Sequence, residues 1–408
     1  MDNLTHSIIG LAAGELIDRS LAAEPTRERA HARHRLLLVT GALASNFPDV
    51  DLALMPFLSR PLGYLLEHRG HTHTLLFAIP EALLLIALLW LLWPAARQVL
   101  RVSPAARKGV VIAAAIGLLL HLGMDYLNSY GLHPFAPVDA RWLYGDTIYI
   151  IEPMFWVLLG VPLILQIRRR GVRFGLLCVL AAVLAACTAA GFLLWQSLLL
   201  LGVAAIAIGV LQGRWRHALL AGTVCSLAWI GLQAGASHQA RAVVAASLAR
   251  QEGAGVLRDA AMTPFPANPL CWSFITVESD AAHDRYRLRR GVLSLAETIV
   301  PAASCPVKLA GGVVEQETNG LAWFGTAEAS LAELKHLQQT NCHVDAWLRF
   351  ARVPLIDADT ATDLRFGNLG AMNFSSLDYA ARAGTPCPAW LPQWGQPRAD
   401  LLGVLPSK

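Results

Sequence analysis

The sequence predicts a polytopic α-helical membrane domain of six to eight transmembrane helices, followed by a soluble α+β domain. Three observations carry that reading. The chain of 408 residues is 55% hydrophobic and only 15% charged, against about 25% charged in an ordinary soluble domain, and its mean hydropathy is +0.46. Apolar runs of about 20 residues, the length that a bilayer core requires, recur through the first part. Near residue 237 the composition shifts to Pro, Cys, Asp and mixed strand-like patterns. The chain therefore divides into a membrane part, 1–236, and a C-terminal part, 237–408.

Strong spans fall at about 74–93, 109–128, 148–166, 174–194, 195–211 and 217–236. Two weaker ones precede them, 5–22 and 36–55, the second interrupted at Pro48. A cleavable leader is not expected, because residues 1–6 lack a basic cluster and Glu15 and Asp18 interrupt the first apolar run. Loop charge sets the orientation. One set of loops carries Arg19, Arg27, Arg29, Arg33 and Arg35, then Arg97, Arg101, Arg107 and Lys108. It continues with Arg168, Arg169, Arg170 and Arg173, then Arg214 and Arg216. The alternate loops carry only Arg60, Arg69 and Arg141. The positive-inside rule makes the first set cytoplasmic. The N-terminus and everything after 237 then lie outside, on the face opposite the cytoplasm. The net charge of +4 comes with no large basic face, which excludes a nucleic-acid partner.

In the C-terminal part, 272–277, 285–295 and 346–355 read as strands, and 327–339 and part of 239–259 as helix. Cys271, Cys305, Cys342 and Cys387 form an even set in a compartment that permits disulfides, with three pairings open. Cys178, Cys187 and Cys225 lie within apolar spans and read as core thiols.

Polar residues that could carry chemistry recur at span ends in four sets: Asp2 with Thr5 and His6; Asn46, Asp49 and Asp51 around Pro48; Glu67, His68, Arg69, His71 and His73; and His121, Asp125 and Asn128. Under the deduced topology all four fall at the outer face, where random scatter would put about half on each side. His121 and Asp125, at i and i+4, share a helix face that Asn128 extends. Ionisable groups at membrane depth are costly, and there they usually serve function. Imidazole with carboxylate suits zinc, manganese or iron, and zinc is the first expectation for the divalent metal. His6, Asp49, Asp51, His68, His73, His121 and Asp125 form the candidate ligand set. Glu67, or Asp49 if it is not a ligand, would act as general base. Asp2 and Asn46 would orient ligand imidazoles, and Arg69 and Asn128 would contact an anionic substrate.

Other polar residues receive structural readings. His31 and His34 read as solvated in an arginine-rich loop, and His133 as a loop residue. Asp146 is the strongest of Asp139, Asp146 and Glu152 as an additional ligand or substrate contact, and His343 with Asp345 makes no second site.

The order Thr5-His6-x-x-x-Gly10, Pro48-Asp49-x-Asp51, His68-Arg69-Gly70-x-Thr72-His73-Thr74 and His121-x-x-x-Asp125 resembles the YdjM-like family of inner-membrane, metal-dependent hydrolases. The likeness covers roughly 1–165, including Gly131 and Pro134-Phe135. Thr74 stands where the family often has Ser, and His71 ranks below His68 and His73. The resemblance implies a metal site and hydrolysis, and it supplies no substrate.

The expected function is a membrane-bound metal-dependent hydrolase at the periplasmic membrane face, cleaving an ester or phosphoester of a lipid or other amphiphile. The alternative is a non-catalytic membrane regulator or assembly factor with a structural metal. A transporter ranks last, since the polar groups avoid the midplane and no inverted repeat is present. A protein partner of the C-terminal part is left open.

Overall fold

The computed structural model describes every residue except 215–216, 252–254, 319, 390, 393 and 404–408. Arg216, one of the residues used to orient the loops, lies outside the described residues. The chain forms two compact units. The first comprises Met1–Val50, His71–Asn128 and Ile148–Gly231; the second comprises Asp51–Gly70, Ser129–Thr147 and the chain from Leu232 onward.

The helices are α1 (Asn3–Ser20), α2 (Arg27–Ala44), α3 (Leu62–Glu67), α4 (Leu75–Leu92), α5 (Pro94–Val102) and α6 (Pro104–Tyr126), then α7 (Pro153–Phe155), α8 (Val161–Leu165), α9 (Arg170–Ala189), α10 (Trp195–Arg214) and α11 (Ala218–Ala249). Five of these, α4, α6, α9, α10 and α11, are long and apolar enough to cross a bilayer. A sixth span arises if α2 and the 3-10 helix Phe47–Phe57, bent by 47° at their junction, count as one. A sheet-rich C-terminal region follows, as the sequence predicts.

The expected span at 148–166 is shorter than foreseen. Glu152 caps the helix start by accepting from Met154 N at 3.1 Å, so the apolar helix runs only from Pro153 to Leu165. A π turn at Trp156–Gly160 interrupts it. Pro162 has no N–H to return to the Leu158 carbonyl, a recognised cause of such irregularity. Gly222 of α11 lies against that carbonyl, where a Cβ would collide.

In the first unit, α1, α2 and α6 approach through small residues. A Cβ on Gly10 would overlap the Gly41 carbonyl and Ser45 Oγ, and one on Gly14 would overlap the Leu37 carbonyl. Without side chains between them the backbones touch, the packing that membrane helices favour. The core beside them contains Leu36, Leu37, Ala113, Ala114 and Leu118. His34 is not simply solvated: its Nδ1 lies 3.2 Å from Asp18 Oδ2, beside an Arg33 Nε to Asp18 Oδ1 bond of 2.8 Å.

The second unit holds an antiparallel sheet of order β1-β2-β3-β5-β4, with β1 Val256–Phe265, β2 Asn268–Asp280, β3 Arg285–Ser294, β4 Gln316–Thr318 and β5 Leu321–Ser330. A three-stranded sheet follows, β6 (Pro354–Ile356), β7 (Thr360–Asp363) and β8 (Leu377–Asp378). Its helices are α12 (Val307–Ala310), α13 (Leu331–Thr340), α14 (Cys342–Leu348) and α15 (Ala399–Leu402). The strands expected at 272–277 and 285–295 are present in β2 and β3. The strand expected at 346–355 is mostly not a strand. Asn341 accepts from His343 N and Val344 N, so its side chain starts a helix there instead. The helix expected at 327–339 begins only at Leu331, because 327–330 complete β5, and α11 ends before β1.

Trp347, Phe350, Tyr286, Leu65 and Leu348 are fully buried in the core of this unit. Disulfides join Cys271 to Cys305 and Cys342 to Cys387, selecting one of the three open pairings. Asp146 is wholly buried and is a partner of arginines. Arg352 donates to both its oxygens at 2.8 Å, and Arg241 donates to Oδ2 at 2.6 Å. Arg352 also donates to Asp259 Oδ2 at 2.7 Å. Burial opposes ionisation of Asp259, but Arg352, Arg398 and Arg241 outweigh it and hold its pKa down at about 2.

Candidate metal centre

Asp2 caps α1, accepting from Thr5 N at 3.0 Å and Thr5 Oγ1 at 2.5 Å. The cap holds the first turn, from which His6 projects into the first unit's interior. At the end of α2 the chain bends, and Asn46 Nδ2 fastens the bend by donating to Ser7 Oγ at 3.1 Å and the Ala42 carbonyl at 2.8 Å. Asp49 follows on the 3-10 turn. His73 precedes Thr74, which caps α4 by accepting from Phe77 N at 3.2 Å.

The position of α6 follows from one residue. Gly117 lies against Ala44 and Ser45, where a Cβ would meet the Ala44 Cβ. His121 and Asp125 lie one and two turns further along the same face. The close approach at Gly117 therefore brings His121 Nδ1 within 2.8 Å of the Ser45 carbonyl.

Four side chains from three stretches of sequence converge. One donor atom from each of Asp49, His73, His121 and Asp125 lies within 4.8 Å of all the others. His73 Nε2 is 3.0 Å from His121 Nε2, 3.4 Å from Asp49 Oδ1 and 3.4 Å from Asp125 Oδ2. His121 Nε2 is 3.6 Å from each of the same two carboxylate atoms. Ligands about 2.0–2.1 Å from a tetrahedral ion lie about 3.3 Å apart, so these separations suit such an ion.

Hydrogen bonding supports the same fit. A carbonyl only accepts, so His121 carries its proton on Nδ1 and turns the Nε2 lone pair inward. His73 Nδ1 lies 3.0 Å from Thr72 Oγ1. The Thr72 hydroxyl can donate or accept, so His73 can carry its proton on Nδ1 and turn its Nε2 lone pair toward a metal ion, or carry it on Nε2 and donate to His121 Nε2 at 3.0 Å. The two carboxylates are the anionic donors of the set, and Asp125 is also paired with the Met1 ammonium. His6 is beside the group: its ring stacks on His121 at 4.1 Å between centroids, and its Nε2 is 3.4 Å from Asp125 Oδ1.

The other predicted residues divide by unit. Asp51, Glu67, His68 and Arg69 belong to the second, where Asp51 Oδ1 is 3.1 Å from His68 Nδ1 and Asp51 Oδ2 accepts from Arg69 N at 3.1 Å. Arg69 has φ +62° and stacks over the Tyr130 ring at 4.5 Å. Glu67 is the half-buried last residue of α3. Asn128 is buried just beyond α6. Asp2 and Asn46 hold helix ends, while the Ser45 carbonyl and Thr72 hydroxyl meet the imidazoles. The sequence offers little sign of Ser45, because its contribution is a backbone atom. Gly117, four residues before His121, was the readable clue.

Fold and site define a multi-pass membrane protein with a buried His/Asp cluster able to hold a metal ion. Residues 1–193 match the family model described as YdjM inner membrane protein, which bears out the resemblance in the motifs and extends it past 165. Over 159 residues the chain is 24% identical to the protein named Uncharacterized protein YfhP of Bacillus subtilis (strain 168), covering 38% of this chain and 43% of that protein. The chain thus spans less than half the length of that curated relative. No solved structure matches.

Proposed function

We propose that the protein is a membrane-bound metal-dependent hydrolase that cleaves an ester or phosphoester of a lipid or other amphiphile at the periplasmic membrane face. The observation that carries this reading is the convergence of Asp49, His73, His121 and Asp125 at the spacing of a coordination sphere. A divalent metal there, zinc before manganese or iron, supplies a Lewis acid and an acidified water. The chain's own residues do the rest. The Ser45 carbonyl fixes the His121 tautomer, the Thr72 hydroxyl holds the His73 ring in place, and the small-residue contacts of α1, α2 and α6 hold the donors still. Asp49 is the less buried of the two carboxylates, and it would accept a proton only where it is not itself a ligand. The periplasmic placement of the C-terminal region is supported by the arginine distribution and by two disulfides in one region, a pattern of oxidising compartments.

One observation favours a structural metal in a non-catalytic regulator or assembly factor. His6 lies where it could add a further donor and close the sphere, and closed spheres are structural. Elemental mass spectrometry of the detergent-purified chain, beside a His73→Ala/Asp125→Ala variant, tests the site. Stoichiometric metal, lost in the variant, is expected, and unchanged metal content would sink the reading. Chelator-sensitive hydrolysis of ester or phosphoester amphiphiles, lost in Asp49→Asn, then separates the enzyme from the regulator.

A further inference from the structure

A second feature of the molecule lies wholly in the second unit. The segment Asp51–Gly70 and the stretch 372–385 enclose a groove of about 810 Å³. Met55 and Tyr64 line one wall, and Met372 and Phe374 line the other. Tyr64 and Phe374 meet edge to face, with centroids 5.6 Å apart, giving the groove an aromatic floor. Arg60 and Arg382 also line it, and Arg382 Nη2 donates to the Arg60 carbonyl, which sets the two cationic residues side by side. The lining carboxylate, Asp378, is engaged in a turn, accepting from Ala381 N at 2.8 Å.

The surroundings of the groove are unusual for a water-facing surface. Phe57 is 86% exposed, Met372 68% and Leu54 61%. Clustered apolar exposure on this scale marks a surface that meets something other than water. Leu54 and Phe57 belong to the arm of the bent pair whose composition is that of a membrane span. Apolar walls and two arginines therefore line the same groove, with the Arg382 guanidinium held at the Arg60 backbone. Arginine's planar fork matches a phosphate diester through paired, charge-assisted hydrogen bonds. Two cations against one engaged carboxylate select an anion over a zwitterion.

We propose that this groove is a binding site for an anionic glycerophospholipid. The headgroup phosphate is held by Arg60 and Arg382, and an acyl chain lies along Met55, Tyr64, Met372 and Phe374. No chemical step is assigned to it, and the site stands whether or not the His/Asp cluster turns over a substrate.

The test uses the full chain in phosphatidylcholine nanodiscs, with phosphatidylglycerol carrying a photoactivatable acyl chain as probe. Labelled peptides should map to 55–64 and 372–374. Arg60→Gln/Arg382→Gln should reduce that labelling about tenfold, the scale expected for lost charge-assisted contacts. Met372→Ala/Phe374→Ala, which leaves the cations in place, should also lower it. In the unmodified protein, excess phosphatidylglycerol should compete, while phosphatidylcholine and inorganic phosphate should not. Equal competition by phosphatidylcholine would overturn the proposal. Equal competition by inorganic phosphate would identify a soluble anion instead and overturn the lipid assignment. The competition arm needs no variant, so a poorly folding substitution leaves the outcome decided.

Discussion

His121 donates through Nδ1 to the carbonyl of Ser45 at 2.8 Å. That bond puts the acceptor lone pair on Nε2, which faces His73 and the two carboxylates. It depends on α6 lying close to the end of α2, which depends on Gly117. Gly117→Val should displace α6, lower stability by about 1–3 kcal/mol through overpacking, and strip metal from a cluster whose donors are all intact. Thermal unfolding and elemental analysis of the same preparation check both effects. Full metal content in a destabilised Gly117→Val protein would show that the helix contact does not set the site.

Arg352 sits between the buried Asp146 and the partly buried Asp259. Arg352→Ala leaves both without their principal partner, and breaking a buried ion pair from one side costs about 3–5 kcal/mol. Arg352→Lys should recover only part of this, since an ammonium cannot reproduce the fork that serves both acids. Tryptophan fluorescence during thermal unfolding and limited proteolysis of the C-terminal region provide the readout.

The same network predicts an acid dependence. The Asp259 carboxyl has a folded pKa of about 2 against an ordinary 3.8. A depressed carboxylate pKa stabilises the fold fully above the unfolded value, and the contribution disappears as pH falls through the folded value. It is on the order of 2 kcal/mol above about pH 4. Asp259→Asn should therefore melt lower than the wild type at pH 7, and the gap should narrow as pH falls from about 4 toward 2. A gap independent of pH would assign the loss to packing.

The disulfide pairing is open to direct measurement. Peptide mapping without reductant should recover Cys271 with Cys305 and Cys342 with Cys387. Maleimide in denaturant should label only Cys178, Cys187 and Cys225. Removing Cys342 and Cys387 together should cost about 2–5 kcal/mol, as loss of a native disulfide commonly does.

Much of the architecture was legible in the chain because its signals are local. An apolar run of bilayer length reads as a helix whatever surrounds it, and β2 and β3 announced themselves through alternating apolar residues. The short helix at 153–165 was less legible, because hydropathy is blind to a cap at Glu152 and a missing N–H at Pro162. Ala346–Leu355 misled for a related reason: its aromatic composition favours a strand, but the Asn341 cap outside that window starts α14 first. Of the candidate site, residue types and their order were readable, and Asp49, His73, His121 and Asp125 were all named from them. Which acids and histidines share donor-atom distances was not. Asp146 looked like a ligand and is a partner of Arg352 and Arg241. Sequence alone determined that this is a membrane protein with metal-capable side chains near helix ends, because length, hydropathy and residue chemistry belong to the chain itself. Only the tertiary structure decided which side chains converge and which ring nitrogens face the cluster, because those depend on glycine contacts and backbone carbonyls from distant turns.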